Sequence, residues 1–183
     1  MRKAVILVAV ALLPVAGGAT TPRHAPELRA DEAARLNSPL RRAMLDLQND
    51  ARRDVGVPPL VWDDKLAADA MAYAKEMART HRFQHAQQPF GPGREGENLL
   101  MSARDANSYD TMVRAWLDEK RYFVNRPALD FSTTGNWIVV GHYTQIVWRT
   151  TTRVGCALAS STSDDYLVCR YLPPGNVIGL KAL

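Results

Sequence analysis

Gly141-His142-Tyr143-Thr144-Gln145-Ile146-Val147-Trp148 is the most characteristic run of this sequence, and a second run, residues 166–176, follows it near the end of the chain. In the first run, His142 opens a segment that is otherwise mainly apolar and aromatic. A lone histidine beside an apolar run is usually a hydrogen-bonded structural residue, because its ring nitrogens need partners when the ring is partly buried. Spacing alone therefore leaves open whether His142 is structural or functional.

The segment around the second run predicts a β-hairpin. Residues 154–159 and 166–171 are typical of strands, and the polar residues 160–165 connect them. Antiparallel pairing would place Cys156 across from Cys169, and these are the only two cysteines of the chain. In an exported chain this even pair is expected to form a disulfide. The alternative, a catalytic thiol, finds no activating neighbour in the sequence.

Three amphipathic helices are predicted before the hairpin, because apolar residues recur at helical spacing after good capping residues. Residues 81–95, between the second and third helices, show no periodicity and predict a long loop of the kind that often carries function. Helices followed by a small sheet predict an α+β fold built in layers. The predicted helix limits are Ser38-Pro39 to just before Gly56, Asp63 or Asp64 to about Thr80, and a third start near Asn107-Ser108.

The N-terminus has the pattern of a secretory signal peptide. Basic residues at the start precede an apolar run over residues 4–13, and Gly17 and Ala19 have the spacing of a signal-peptidase site. The alternative, an uncleaved membrane anchor, needs about 20 apolar residues to span a bilayer. We therefore expect a signal peptide at 1–19, an N-terminal lead-in at 20–36 and one domain at 37–183, with no transmembrane segment after cleavage.

Composition narrows the class of partner. The 183 residues are 46% hydrophobic, which is enough to build one core. Removing residues 1–19 takes away two basic residues and no acid, which lowers the formal net charge from +4 to +2. Nucleic acid is not expected as a partner, because phosphate binding needs a clustered basic field. The basic pairs Arg41-Arg42 and Arg52-Arg53 are predicted to form a solvated helix face.

The common catalytic motifs are absent from the sequence, which has no Gly-x-Ser-x-Gly elbow, His-Glu-x-x-His helix, phosphate-binding glycine loop or Cys-x-x-Cys pair. Four polar residues in special contexts remain. His85 lies in the long loop, Glu97 precedes an apolar stretch, and His142 opens the apolar run. Glu119 is predicted on the third helix, three residues after Trp116 and therefore beside its apolar face.

The set of motifs resembles the CAP family (cysteine-rich secretory proteins, antigen 5 and pathogenesis-related proteins), and most of all its plant pathogenesis-related branch. The motifs appear in the family's order over about residues 37–180, and together they are highly specific. Besides the two runs quoted above, the resemblance rests on Asn49-Asp50-Ala51-Arg52, Gly56-Val57-Pro58-Pro59-Leu60 with Trp62, Gly96-Glu97-Asn98-Leu99 and Trp116-Leu117-Asp118-Glu119-Lys120.

The resemblance implies a three-layer α-β-α sandwich of the CAP type with a central cleft formed by His85, Glu97, Glu119 and His142. By motif position, His85 and His142 are candidate ligands for Zn²⁺ or another divalent cation. Glu97 and Glu119 are candidate catalytic acids and bases. Two histidines without a third firm ligand predict an open site of modest affinity.

The sequence also departs from the family pattern. Gln48 stands where many members have His, and Arg170 replaces a common Asn in the last motif. The family's usual three disulfides are reduced to at most one. We do not expect the family's cysteine-rich C-terminal extension. Activities tied to that extension are therefore not expected.

Three functions remain open at this point. The first is a secreted binding module, extracellular or periplasmic, for a small lipid, a sterol-like molecule or a cell-surface molecule, with a divalent metal in the cleft. The second is a metal-assisted, peptidase-like hydrolase in which His85 and His142 hold the metal and Glu97 or Glu119 accepts the proton; a weaker version uses Thr144 as nucleophile. The third is an envelope or host-interaction protein without catalysis, in which the four residues form a structural network.

Overall fold

Residues 38–88 and 90–183 are described by the computed structural model, so the predicted signal peptide and lead-in lie outside the described residues. The first helix, α1 (Pro39–Asp54), begins as expected from its sequence: the Ser38 hydroxyl accepts the Arg41 N–H at 3.2 Å, and Pro39 occupies the first helical position. The helix ends just before Gly56, whose φ of +69° suits a residue without a side chain.

The second and third helices also confirm their predicted starts. Helix α2 (Asp64–Thr80) is capped by Asp63, whose carboxylate accepts the Lys65 and Leu66 N–H groups at 2.9 and 3.1 Å. Helix α3 (Tyr109–Leu117) is capped by Ser108. Two 3₁₀ segments (Asp118–Tyr122 and Trp137–Val140) and a short helix, α4 (Gly141–Ile146), complete the helical part.

Four strands form one sheet in the order β1-β3-β4-β2. The predicted hairpin is confirmed: β3 and β4 are antiparallel, and Cys156 lies directly opposite Cys169, to which it is joined by a disulfide. Strand β1 pairs with β3 in parallel, and β2 pairs with β4 in antiparallel fashion. The bounds are Val61–Trp62 for β1, Gly96–Ala103 for β2, Arg153–Ser160 for β3 and Asp164–Leu172 for β4.

The sheet has a core on each face, which confirms the three-layer sandwich. On one face α1 and α3 pack around large buried side chains that include Met44, Trp116 and Trp148. On the other face α2 packs through Ala70, Ala74 and Met77, which are small or flexible enough to let the helix lie close to the strands. Within the described residues, no helix combines the length and apolarity that crossing a bilayer requires.

One prediction about the first helix was wrong. Arg52 was expected on a solvated face, but its side chain is fully buried and its guanidinium donates hydrogen bonds to four backbone carbonyls. The acceptors are the carbonyls of Pro58, Ile146, Trp148 and Thr151, at 2.6 to 2.9 Å. The burial is tolerated because each N–H group that the guanidinium uses finds a carbonyl; the Trp148 carbonyl also accepts the Thr151 N–H at 3.1 Å.

Candidate functional site

Three of the four predicted site residues line one open cleft of about 910 Å³. His85 reaches it from the loop after α2, Glu97 from the start of β2, and His142 from the first turn of α4. Glu119 lies behind His142 and contacts it. The four side chains are therefore arranged as two His–Glu pairs, of which the histidines face the cleft.

His142 and Glu119 form the more buried pair. The Nδ1 atom of His142 lies 2.6 Å from Oε1 of Glu119, and Oε2 of the same carboxylate accepts the backbone N–H groups of His142 and Tyr143, each at 3.0 Å. Those two N–H groups belong to the first turn of α4 and have no helical partner, so a carboxylate there satisfies both. Because Glu119 can only accept, Nδ1 carries the proton and Nε2 is the nitrogen left to the cleft.

The position of Glu119 differs from its prediction. It was expected on the third helix, but α3 ends at Leu117 and Glu119 lies in the 3₁₀ segment that follows. From this 3₁₀ segment the carboxylate reaches both N–H groups at the start of α4.

The ring and backbone of His142 are held from two further directions. Trp116 stacks on the imidazole, with ring centroids 5.7 Å apart and planes inclined by 20°. The Asn98 amide donates to the His142 carbonyl at 3.1 Å and to the Tyr171 hydroxyl at 3.3 Å. The Tyr171 hydroxyl in turn donates to Gln48 at 3.0 Å. Gln48 thus takes part in a buried network that ends at His142.

His85 and Glu97 form the more exposed pair. The Nδ1 atom of His85 lies 2.7 Å from Oε1 of Glu97, which also accepts the Ala86 N–H at 3.0 Å. The His85 side chain is 68% exposed, whereas that of Glu97 is only 5% exposed. The buried carboxylate therefore anchors a histidine that otherwise projects from a loop, and the other oxygen of Glu97 lies 2.9 Å from Nη2 of Arg170.

A second acidic residue at the cleft, Glu95, has an altered ionisation. Burial raises its pKa, and a hydrogen bond and repulsion from the nearby carboxyl of Asp69 raise it further. Asp69 shifts the other way, because its hydrogen bond with Lys65 (2.6 Å) lowers its pKa. Of these two acids, Glu95 is therefore the first to take up a proton as the pH falls.

The donor chemistry of the cleft fits a divalent cation in part. Metal-bound histidines usually donate their other ring nitrogen to a carboxylate, and both His85 and His142 have that arrangement at Nδ1. Among residues 38–88 and 90–183, however, no three His, Cys, Asp or Glu side chains are grouped as metal ligands. Two imidazoles would leave the remaining coordination positions to water or to a ligand.

Exposed apolar side chains surround the polar part of the cleft, and they form what we call the rim. Ile178 is 75% exposed, Ile138 63% and Phe90 89%, although large apolar side chains are normally buried. The sequence reasoning missed these residues, because they lie in loops and in a short 3₁₀ segment, none of which has a helical or strand periodicity. The rim residues are Phe90, Trp137, Ile138, Val177 and Ile178.

Thr144, the alternative nucleophile, does not face the cleft. It is fully buried, and its hydroxyl lies 2.7 Å from the Asn176 amide oxygen and 3.0 Å from the Val140 carbonyl. Gln145 does line the cleft, and its amide oxygen accepts the Gly175 N–H at 2.8 Å. The amides of Asn98 and Gln145 thus each form a hydrogen bond with a backbone group of another segment.

Comparisons with known proteins agree with this architecture. Residues 45–171 match the model of the cysteine-rich secretory protein family, CAP. Pathogenesis-related protein 1C of Nicotiana tabacum is 43% identical over 136 residues, which are 74% of this chain and 76% of the relative. The basic form of pathogenesis-related protein 1 from the same species is 40% identical over 138 residues, covering 75% of this chain and 72% of the relative.

Solved structures give the same result. The crystal structure of NaASP2 with Zn²⁺ superimposes with a TM-score of 0.65 at 26% identity, covering 80% of this chain and 85% of that chain. The family match covers more than half of the chain, and the two tobacco relatives are 43% and 40% identical over about three quarters of it. The chain belongs to the cysteine-rich secretory protein (CAP) family.

Proposed function

We propose that this protein is an exported binding module whose cleft takes a small apolar or amphiphilic ligand, a lipid or sterol-like molecule or a molecule of a cell surface. The single observation that carries the proposal is the union of an apolar rim with two carboxylate-anchored histidines in one open cleft. Clefts of this size with a mainly apolar wall and a few placed polar groups are typical of small-molecule sites.

The rim supports an apolar ligand. Its five large side chains come from three separate segments and converge on the same opening. Exposing contiguous apolar surface to water is unfavourable in free energy, and such a surface usually marks a site that a partner or ligand covers. Burying one such side chain against a ligand contributes on the order of 1.5–3 kcal/mol.

The two histidines support a divalent cation, Zn²⁺ first, as a part of the same site. His85 and His142 would bind it through Nε2, and Glu97 and Glu119 would hold the rings in the required tautomer. When bound, such an ion supplies a Lewis-acidic centre for an oxygen atom of the ligand. The solved structural neighbour NaASP2, whose crystal structure was determined with Zn²⁺, adds support from the family.

Binding is favoured over hydrolysis by the way the carboxylates are used. Glu119 accepts three hydrogen bonds, and Glu97 accepts two and contacts Arg170. A general base needs a lone pair directed at the substrate or at a water molecule. Both carboxylates instead point their oxygens at protein groups, which suits positioning better than proton transfer.

Export is part of the proposal because residues 1–19 have the pattern of a signal peptide and the relatives belong to a family named for secretion. Expression of the full chain in a bacterial host tests it. We expect the exported protein to begin at Thr20 by intact mass, and fractionation of the culture separates periplasm from medium. Retention of residues 1–19 on a membrane-bound product would contradict it.

The cleft is tested on the exported protein by two titrations. Zinc titrated calorimetrically into metal-stripped protein should bind saturably, and the His85→Ala/His142→Ala variant should lose that binding. A fluorescent sterol and a fluorescent fatty acid, each with and without zinc, should bind at least tenfold more weakly to Ile138→Ser/Ile178→Ser. Val61→Ser is the matched control, because Val61 is 64% exposed and does not line the cleft.

The outcomes separate the three functions. Saturable amphiphile binding that depends on the rim supports the binding module. If neither zinc nor either amphiphile binds, the proposal is wrong and the cluster is structural, as in an interaction protein. If zinc binding comes with cleavage of peptides that Glu97→Gln abolishes, the hydrolase is correct instead.

A further inference from the structure

The two His–Glu pairs are built on different supports. Backbone N–H groups at the start of α4 hold the carboxylate of Glu119. The carboxylate of Glu97 has one backbone donor, Ala86, and its other oxygen faces a charged side chain of β4, Arg170. The anchoring of His85 therefore depends on a side chain that the family resemblance does not place at the site.

Arg170 is inserted between two carboxylates. It lies directly opposite Glu97 in the register of β2 and β4. Its Nη2 is 2.9 Å from Oε2 of Glu97, and its Nη1 is 3.1 Å from Oε2 of Glu95. The Arg170 side chain is only 7% exposed, and the Tyr73 ring centroid lies 5.3 Å from its Cζ atom. A planar guanidinium has the shape to hold two acids at once, whereas an ammonium is a single point of charge.

The two carboxylate oxygens of Glu97 contact different groups. Oε2 faces Arg170, and Oε1 accepts from the His85 ring and from the Ala86 N–H. A carboxylate is planar, so fixing Oε2 also fixes the direction of Oε1. The Arg170–Glu97 contact has ion-pair distance without good hydrogen-bond alignment, since Oε2 of Glu97 has no aligned donor among the described residues. Charge and burial therefore account for this hold on Glu97.

We propose that Arg170 is the positioning residue of His85: by fixing Glu97, it holds the exposed imidazole with its proton on Nδ1 and with Nε2 directed to the cleft. The expected effect of Arg170 on zinc affinity rests on the function proposed above. Its effect on the tautomer of the His85 ring does not. An Asn, which the family resemblance leads us to expect at this position, is shorter than Arg170 and carries no charge, so it would not hold both acids in this way.

The test compares Arg170→Lys with the wild type in the exported protein. Lysine keeps the positive charge near the cleft but loses the fork that reaches both acids. In metal-free protein, ¹⁵N-resolved NMR of the His85 ring should change from one tautomer, protonated at Nδ1, to a mixture. Zinc affinity should fall about tenfold, which is the lower end of the effect of removing such an outer partner. Arg153→Lys is the control, because Arg153 pairs with Asp63 on an exposed surface (2.9 Å).

A second variant guards against loss of folding. Arg170→Gln/Glu95→Gln removes the positive charge of Arg170 together with the negative charge of Glu95. Only the carboxylate of Glu97 then loses its partner, whereas loss of the arginine alone would leave two buried carboxylates uncompensated. This variant should show the same tautomer mixture as Arg170→Lys. The double variant Arg170→Lys/Glu97→Gln should bind zinc no more weakly than Glu97→Gln alone. Arg170 acts on His85 through Glu97, so once Glu97 is changed the loss of Arg170 has nothing further to remove.

The outcomes are distinct from those that test the proposed function. If folded Arg170→Lys keeps the wild-type His85 tautomer and zinc affinity, the role of Arg170 is overturned. Additive losses of zinc affinity in the double variant overturn it as well. If the wild-type protein binds no zinc, the metal part of the proposed function fails, and the NMR measurement on metal-free protein still decides the role of Arg170.

Discussion

Glu119 binds His142 at two points: its Oε1 accepts from the ring Nδ1 at 2.6 Å, and its Oε2 accepts from the backbone N–H at 3.0 Å. One side chain therefore fixes both the position of the residue and the tautomer of its ring. The same carboxylate also completes the start of α4 through the Tyr143 N–H. Folding of this helix and preparation of the cleft are consequently linked through one residue.

Glu119→Gln should damage the cleft more than its small change in shape suggests. If the amide oxygen keeps the two backbone N–H groups, the NH₂ group faces Nδ1 and drives the proton to Nε2, which blocks that nitrogen for a metal. We expect zinc affinity to fall by about 10–100-fold and stability by about 1–3 kcal/mol. Calorimetric titration and urea unfolding measure the two. Glu76→Gln, in an exposed pair with Arg79, is the control and should change neither.

The two histidines should differ in their importance for stability. His142 stacks on Trp116 and pairs with the largely buried Glu119, so we expect His142→Ala to cost about 1–3 kcal/mol. His85 is 68% exposed and projects from a loop, so His85→Ala should stay within about 0.5 kcal/mol of the wild type. Urea unfolding of the single variants measures both. Equal losses would mean that the His85 loop is a structural element rather than a carrier of a ligand.

Arg52 should be among the most sensitive positions of the fold. Arg52→Met would remove the side-chain donor of the Ile146 and Thr151 carbonyls and of the partly buried Pro58 carbonyl, whereas the Trp148 carbonyl keeps the Thr151 N–H. Each buried carbonyl left without a donor costs about 1–3 kcal/mol. We expect little or no soluble folded protein. Arg53→Met, at the next position, removes only an exposed pair with Asp50 and should fold normally. Arg52→Lys gives a graded test, because one ammonium reaches fewer of the four carbonyls; wild-type stability in that variant would contradict this account.

Two buried tyrosines provide a matched pair. The Tyr143 hydroxyl has no hydrogen-bond partner among the described residues, whereas that of Tyr171 contacts Gln48 and Asn98. Tyr143→Phe should be neutral or stabilising by up to about 1 kcal/mol, and Tyr171→Phe should cost about 1–3 kcal/mol, because it leaves buried amide atoms unpaired. Thermal and urea unfolding at pH 7 compare the two. Equal costs would show that Tyr143 has a partner after all.

Tyr143 also predicts a dependence of stability on alkaline pH. Burial, with a smaller effect from the charge of Asp54, raises the pKa of Tyr143 to about 12. The unfolded chain has a tyrosine pKa near 10, so between about pH 10 and 12 the unfolded state releases the proton first. The stabilisation is complete below pH 10 and is lost as the pH rises through this window, by about 2–3 kcal/mol. In Tyr143→Phe the loss of stability over the same window should be smaller; an identical slope would contradict the assignment.

Local sequence signals predicted much of the fold. Ser38, Asp63 and Ser108 begin helices because each places an oxygen within reach of N–H groups two or three residues ahead. The hairpin was predictable because its strands lie only a few residues apart, and Cys156 and Cys169 then fell opposite each other. Strand β2 was not predicted, because its polar residues at 97 and 98 hide the strand pattern and their partners lie on β4.

The sequence by itself determined the family, the caps, the hairpin and the four residues of the two His–Glu pairs, since these follow from short-range chemistry and from ordered motifs. Only the tertiary structure decided that Arg52 is buried, that Arg170 faces both Glu95 and Glu97, and that apolar side chains from three separate segments meet at the cleft. The physical reason is the distance along the chain: Arg52 and its carbonyl acceptor on Thr151 are 99 residues apart. No local pattern predicts whether a charged side chain meets water or a partner that folding brings to it.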